Sequence, residues 1–141
     1  MEWAILPLKR YAEFSGRSRP KEYWMFVLFV IVATVALTFV DAALGLGTSE
    51  RYANRGPMGF AVGFSNSGGL LTAIFALGVL VPGLAVGVRR LHDTDRSGWW
   101  LLLGLIPLFG WIVLLVFLVS GGTRGPNRFG PDPFEVPAPV G

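Results

Sequence analysis

The densest group of reactive side chains in this 141-residue sequence is the run Arg89-Arg-Leu-His-Asp-Thr-Asp-Arg-Ser97. It sets His92 beside Asp93, two residue types that together can relay a proton near neutral pH. Arg89 and Arg90 carry planar guanidinium groups that can grip a phosphate or carboxylate through paired hydrogen bonds. Asp95 and Arg96 complete the cluster. Elsewhere the sequence shows no nucleophile–base pair and no phosphate loop. A single histidine excludes a multi-histidine metal site, and zero cysteines exclude a disulfide scaffold, thiol catalysis and a cysteine-ligated metal. The balance is against an enzyme: no catalytic residue, cofactor or metal is expected.

The same residues also have plainer work. Arginines at the C-terminal end of a helix are favoured by its dipole, and Asp95 or Ser97 can accept from the unpaired amides that open the next helix. Anchoring is therefore the leading reading of the cluster, with a ligand site as its rival.

The surrounding elements are dictated by hydropathy. The chain is 52% hydrophobic and 15% charged, unlike an ordinary soluble domain. Three uncharged runs stand out: 18 residues from Tyr23 to Val40, 19 from Leu70 to Val88 and 21 from Trp99 to Val119. Crossing a bilayer core of about 30 Å takes roughly 20 helical residues. The expectation is an all-α membrane protein with three transmembrane helices at about 22–46, 70–88 and 99–119, forming one multi-pass domain over 1–133 with a flexible tail over 134–141. The first run starts too late and is too long for a cleaved signal peptide.

The flanks supply anchors. A short interfacial helix is expected over Pro7–Phe14, with Trp3 at headgroup depth. Arg17, Arg19, Tyr23, Trp24, Trp99 and Trp100 mark membrane boundaries, because amphipathic rings and basic side chains favour that zone. Gly83 and Gly87 stand at the four-residue spacing that lets helices approach closely. Pro82 should kink the second span, and Pro107 to Gly110 either kink the third or turn it back as a re-entrant hairpin. Asp41, at the end of the first run, is read as a solvated end residue in preference to a buried proton site. Gly45 to Gly69 reads as a flexible loop. With three crossings, eight basic residues fall on the side of the N-terminus and four on the other, which predicts the N-terminus inside and the C-terminus outside.

Three segments carry a resemblance. Phe14-Ser-Gly-Arg-Ser-Arg-Pro-Lys-Glu-Tyr-Trp24, Arg89-Arg-Leu-His-Asp-Thr-Asp-Arg-Ser-Gly-Trp-Trp100 and Gly122-Thr-Arg-Gly-Pro-Asn-Arg-Phe-Gly-Pro-Asp-Pro133 resemble, in this order, the hallmark segments of the bacterial inner-membrane family called domain of unknown function 805. Pro20 departs from it, standing where the family commonly has a basic residue. The resemblance implies a small multi-pass protein of the bacterial cytoplasmic membrane and implies no activity.

Two functions from different classes follow. The first is a non-enzymatic helix-association or docking module, with membrane lipids and either a second copy or another membrane protein as partners. The second is a subunit of an oligomeric transporter or channel, lined by the kinked spans, with Asp41 or His92 handling protons. A lipid-processing enzyme using Arg89, Arg90, His92 and Asp93 ranks third. The basic residues cluster at helix ends, so the net charge of +3 reads as topology and no nucleic-acid partner is expected.

Overall fold

The computed structural model describes residues 2–46 and 69–135. These form helices α1 (Glu2–Lys9), α2 (Pro20–Ala43), α3 (Leu70–Asp93) and α4 (Phe109–Val119), with a 3₁₀ helix, Gly98–Leu105, ahead of α4. Among the described residues the fold is all-α, and an isolated bridge between Asn127 and Gly130 only closes a turn. The interior of the Gly-rich loop (47–68) and the tail beyond Glu135 lie outside the described residues. Two compact units are distinguished: residues 1–30 with 79–141, and residues 31–78.

Helices α2 and α3 each have 24 residues, about 36 Å at 1.5 Å per residue. Both are long and apolar enough to cross a membrane, and α4 is a shorter apolar helix. α2 stops at Ala43, short of the expected Leu46, for a local reason. Gly45 takes φ +69°, which lets Leu46 N–H reach Asp41 O at 2.8 Å and Gly45 N–H reach Ala42 O at 3.3 Å. That pair of bonds is a Schellman motif, and its left-handed residue is cheapest as glycine.

Three expectations are corrected. The short N-terminal helix, expected over Pro7–Phe14, lies at Glu2–Lys9: Pro7 sits inside it, buried, and beyond it Arg10 pairs with Glu13 at 2.5 Å across a tight turn. The second span does not stop at Val88 but continues to Asp93, so Arg89 to Asp93 are helical and not a link. Its end repeats the Schellman pattern, with Arg96 N–H on Leu91 O and Asp95 N–H on His92 O, both at 3.0 Å. Here the left-handed residue is Asp95, φ +57°, a residue type that tolerates this conformation.

The third correction concerns the run 99–119, which is not one helix. Ser97 Oγ caps the 3₁₀ helix by accepting from Trp99 N–H at 3.3 Å. Eight 3₁₀ residues reach about 16 Å and eleven α-helical residues reach a similar distance, each about half a bilayer core. Between them Leu108 turns at φ +61°, ψ −74°, with Phe109 N–H on Pro107 O at 2.8 Å, a tight γ-turn that reverses the chain. Trp111 Nε1 donates to Gly104 O at 2.8 Å across the reversal. Gly110 makes the approach feasible, since a Cβ there would overlap the Leu103 carbonyl and stand 2.9 Å from Ile106 Cβ. In the first unit, Phe26, Ala85, Val86, Leu91, Leu114 and Leu118 form the buried apolar core.

Candidate functional site

The helical continuation of α3 decides the chemistry of the polar cluster. Neighbouring residues on a helix do not face each other, so His92 and Asp93 point to different partners. Asp93, fully buried, takes Arg17 on Oδ1, with NH2 at 2.9 Å, and Arg90 NH1 on Oδ2 at 2.7 Å. His92 Nδ1 instead donates to the Gly16 carbonyl at 3.0 Å, and its ring stacks on Phe129 at 3.9 Å. The proton relay suggested by adjacency in sequence is not assembled.

The two arginines also hold backbone. Arg90 Nε donates to Leu118 O at 3.1 Å and its NH2 to Ser120 O. Arg17 NH1 donates to Gly125 O at 2.7 Å and its NH2 to Thr123 O. Asp93 O accepts from Thr123 N–H at 2.8 Å, and Ser18 N–H donates to Arg89 O at 3.0 Å. Three separated stretches, Gly16–Glu22, Arg89–Thr94 and Leu118–Asp132, are thereby tied into one clasp. Arg89, fully buried, completes it through a charge contact with Glu22 Oε1 at 3.1 Å, without hydrogen-bond geometry. Isolated buried charges would be prohibitively costly, so the opposed signs are the condition for burying any of them.

The C-terminal stretch is pinned at its far end by Asp132, which accepts from the amides of Gly125 and Phe134, each at 2.9 Å. The Phe134 amide first, then that of Gly125, holds this carboxyl below the usual carboxylate range. Asn127 Nδ2 reaches His92 O at 2.9 Å, and exposed Arg128 pairs with Asp95 at 3.2 Å.

The remaining expected residues are distributed as follows. Arg17 was expected as a membrane anchor; it is buried inside the clasp. Arg19 lies over the Trp3 and Phe134 rings. Tyr23 and Trp24 pack edge to face, 5.2 Å between centroids. Arg96 covers the Phe117 ring at 4.1 Å, Trp100 meets the same ring edge to face, and Trp99 is exposed. The Cβ position of Gly83 meets Phe26 at 3.9 Å and that of Gly87 meets Leu101 at 3.4 Å, so both glycines face side chains of their own chain.

In the second unit Asp41 is buried, not solvated. It accepts from Leu71 N–H at 3.0 Å, Thr72 N–H at 2.9 Å and Thr72 Oγ1–H at 2.7 Å. The end of α2 thus supplies the cap for the opening amides of α3, a task normally done by the preceding residue. Glu22, Thr123 and Asp132 were not singled out from the sequence, although all three stand in the segments that carried the family resemblance. Among the described residues no group of three His, Asp or Glu side chains is placed to hold a metal.

The family model described as protein of unknown function (DUF805) matches residues 11–131, a span that contains the clasp up to the residue before Asp132. The Escherichia coli K12 inner membrane protein YhaH is 45% identical over 133 residues, covering 94% of this chain and 97% of YhaH. The inner membrane protein YhaI of the same strain is 41% identical over 133 residues, covering 94% of this chain and 96% of YhaI. No solved structure matches. With a match that runs from Tyr11 to Pro131 and relatives aligned over nearly their whole length, the chain belongs to the DUF805 family and is a protein of the bacterial inner membrane.

Proposed function

We propose that the protein is a non-enzymatic membrane module that works by association, built from two crossings and a re-entrant hairpin. The observation that carries this reading is the fate of its reactive groups. Arg90 and Asp93 are fully buried and engaged with each other, with Arg17 and with backbone carbonyls, while buried Arg89 meets Glu22 in a charge contact alone. Arg90 and Asp93, so engaged, hold segments together instead of facing a substrate. The exposed surface is apolar instead: Val35 and Phe39 on α2, Leu77 on α3, and Trp111, Ile112 and Leu115 on α4. Such faces suit lipid and a second helix, from another copy or from a different membrane protein.

The hairpin supports the two-crossing arrangement in place of three. The chain leaves the end of α3 at Gly98 and is back beside Arg90 and Asp93 by Leu118 to Thr123. The N-terminal segment, the end of α3 and the C-terminal segment then share one side, with ten of the twelve Lys and Arg residues, leaving Arg51 and Arg55 for the other. Basic residues near short spans are retained in the cytoplasm, so both termini are cytoplasmic and the expected outside C-terminus is revised. Reporter fusions at each terminus test the topology, and a periplasmic C-terminus sinks it. Cross-linking in native membranes tests association: a chain captured with neither itself nor another protein contradicts the module. The transporter reading lacks equivalent support, since both of its candidate proton carriers are engaged, Asp41 as a helix cap and His92 with the Gly16 carbonyl and the Phe129 ring.

A further inference from the structure

Where α2 opens, two cations share one indole ring. Arg19 Cζ lies 5.3 Å from the Trp3 centroid and Lys21 Nζ 5.6 Å from it. Arg19 is fixed there: the Phe134 ring covers its guanidinium at 5.0 Å, and its Nε donates to Pro133 O at 2.6 Å. Lys21 is exposed and has no ion-pair partner among the described residues. Asp132, whose charge reaches Arg19, already accepts from two backbone amides. Of the two cations, the exposed Lys21 ammonium is the one whose donors remain open to an anion. The depth of the pair is set by α2: Pro20 opens this membrane-length helix, so Lys21 in its first turn and the amphipathic Trp3 ring sit at headgroup level.

We propose that Trp3, Arg19 and Lys21 form a cradle for the phosphodiester of an anionic phospholipid in the cytoplasmic leaflet. Lys21 supplies the free ammonium, Arg19 the fixed charge and Trp3 the platform that keeps both at the right depth. The attraction of such a leaflet for each basic residue corresponds to about a fivefold change in binding. The inference rests on the two-crossing arrangement but not on association with a protein partner.

The test uses the full chain in mild detergent with phosphatidylglycerol or phosphatidylcholine added, and reads retained lipid by native mass spectrometry. Phosphatidylglycerol should be retained over phosphatidylcholine, about fivefold less by Lys21→Gln, and again normally by Lys21→Arg. Trp3→Leu should weaken retention too, at unchanged melting temperature. Lys9→Gln, another exposed cation, should leave it intact. Equal retention of the two lipids, equal loss in Lys9→Gln, or displacement of phosphatidylglycerol by millimolar inorganic phosphate each overturns the cradle. Terminal reporter fusions and cross-linking report separately on topology and association, so failure of the cradle is distinguishable from failure of either.

Discussion

Gly122 lies so close to Asp93 that a Cβ on it would stand 2.5 Å from the carboxylate carbon. The glycine is what lets the returning chain reach a carboxylate already held by Arg17 and Arg90. Gly122→Ala should therefore loosen the clasp without altering a single charge. Asp93→Ala should do more, since removing one partner of a buried ionic group strands the others at a cost of about 3–5 kcal/mol. Thermal unfolding in detergent checks both, with Asp93→Ala the more damaging. An unchanged melting temperature for Asp93→Ala would remove the clasp as a stabilising element.

The same device recurs in the second unit, where a Cβ on Gly69 would stand 2.5 Å from Asp41 Cβ. Asp41→Ala strands three donors at the start of α3, whereas Asp41→Asn keeps one acceptor oxygen. We expect the order wild type, Asn, Ala in melting temperature, with Gly69→Ala also lowered. A proton-carrying Asp41 would instead make Asn as damaging to function as Ala while stability stayed level.

Turning of the hairpin should depend more on Gly110 than on Trp111. Gly110→Ala drives a methyl into the Leu103 carbonyl, which is backbone and cannot step aside. Trp111→Phe removes one hydrogen bond to Gly104 O, a net loss of about 1 kcal/mol. Folded yield should fall sharply for the first and slightly for the second. Equal, small effects would mean that residues 98–119 do not fold back as described.

Acid should free the C-terminal strap in a defined sense. The Asp132 carboxyl is held below its ordinary value by the amides of Phe134 and Gly125, so its contribution is complete above the unfolded value of about 3.9. It is lost as pH falls through the lower folded value. Hydrogen–deuterium exchange over residues 123–135, referenced to the free peptide at each pH, should show protection that is flat from pH 8 to 5 and collapses below about pH 4. Asp132→Asn should show weakened protection already at pH 7, and protection that fades near neutrality would point to another group.

Composition and run length by themselves pointed to an all-α membrane protein, because the residues outside three such apolar runs are too few to wrap them in polar surface. The positions of α2 and α3 were legible for the same reason, since hydropathy over twenty residues needs no knowledge of neighbours. What only tertiary structure decided was how the third run is folded and which partners the charged residues take. Trp99 to Val119 is apolar throughout and periodic nowhere; its turn at Leu108 is stabilised by Trp111 on Gly104 and by Gly110 against Leu103, contacts along a chain reversal that composition does not encode. Likewise Arg17, Glu22 and Asp93 lie far apart in sequence, and their charges are bearable in the interior only once folding has set them against one another. A side chain's type fixes which partners it can take; the fold fixes which of them it meets, and here the partners are other parts of the same chain.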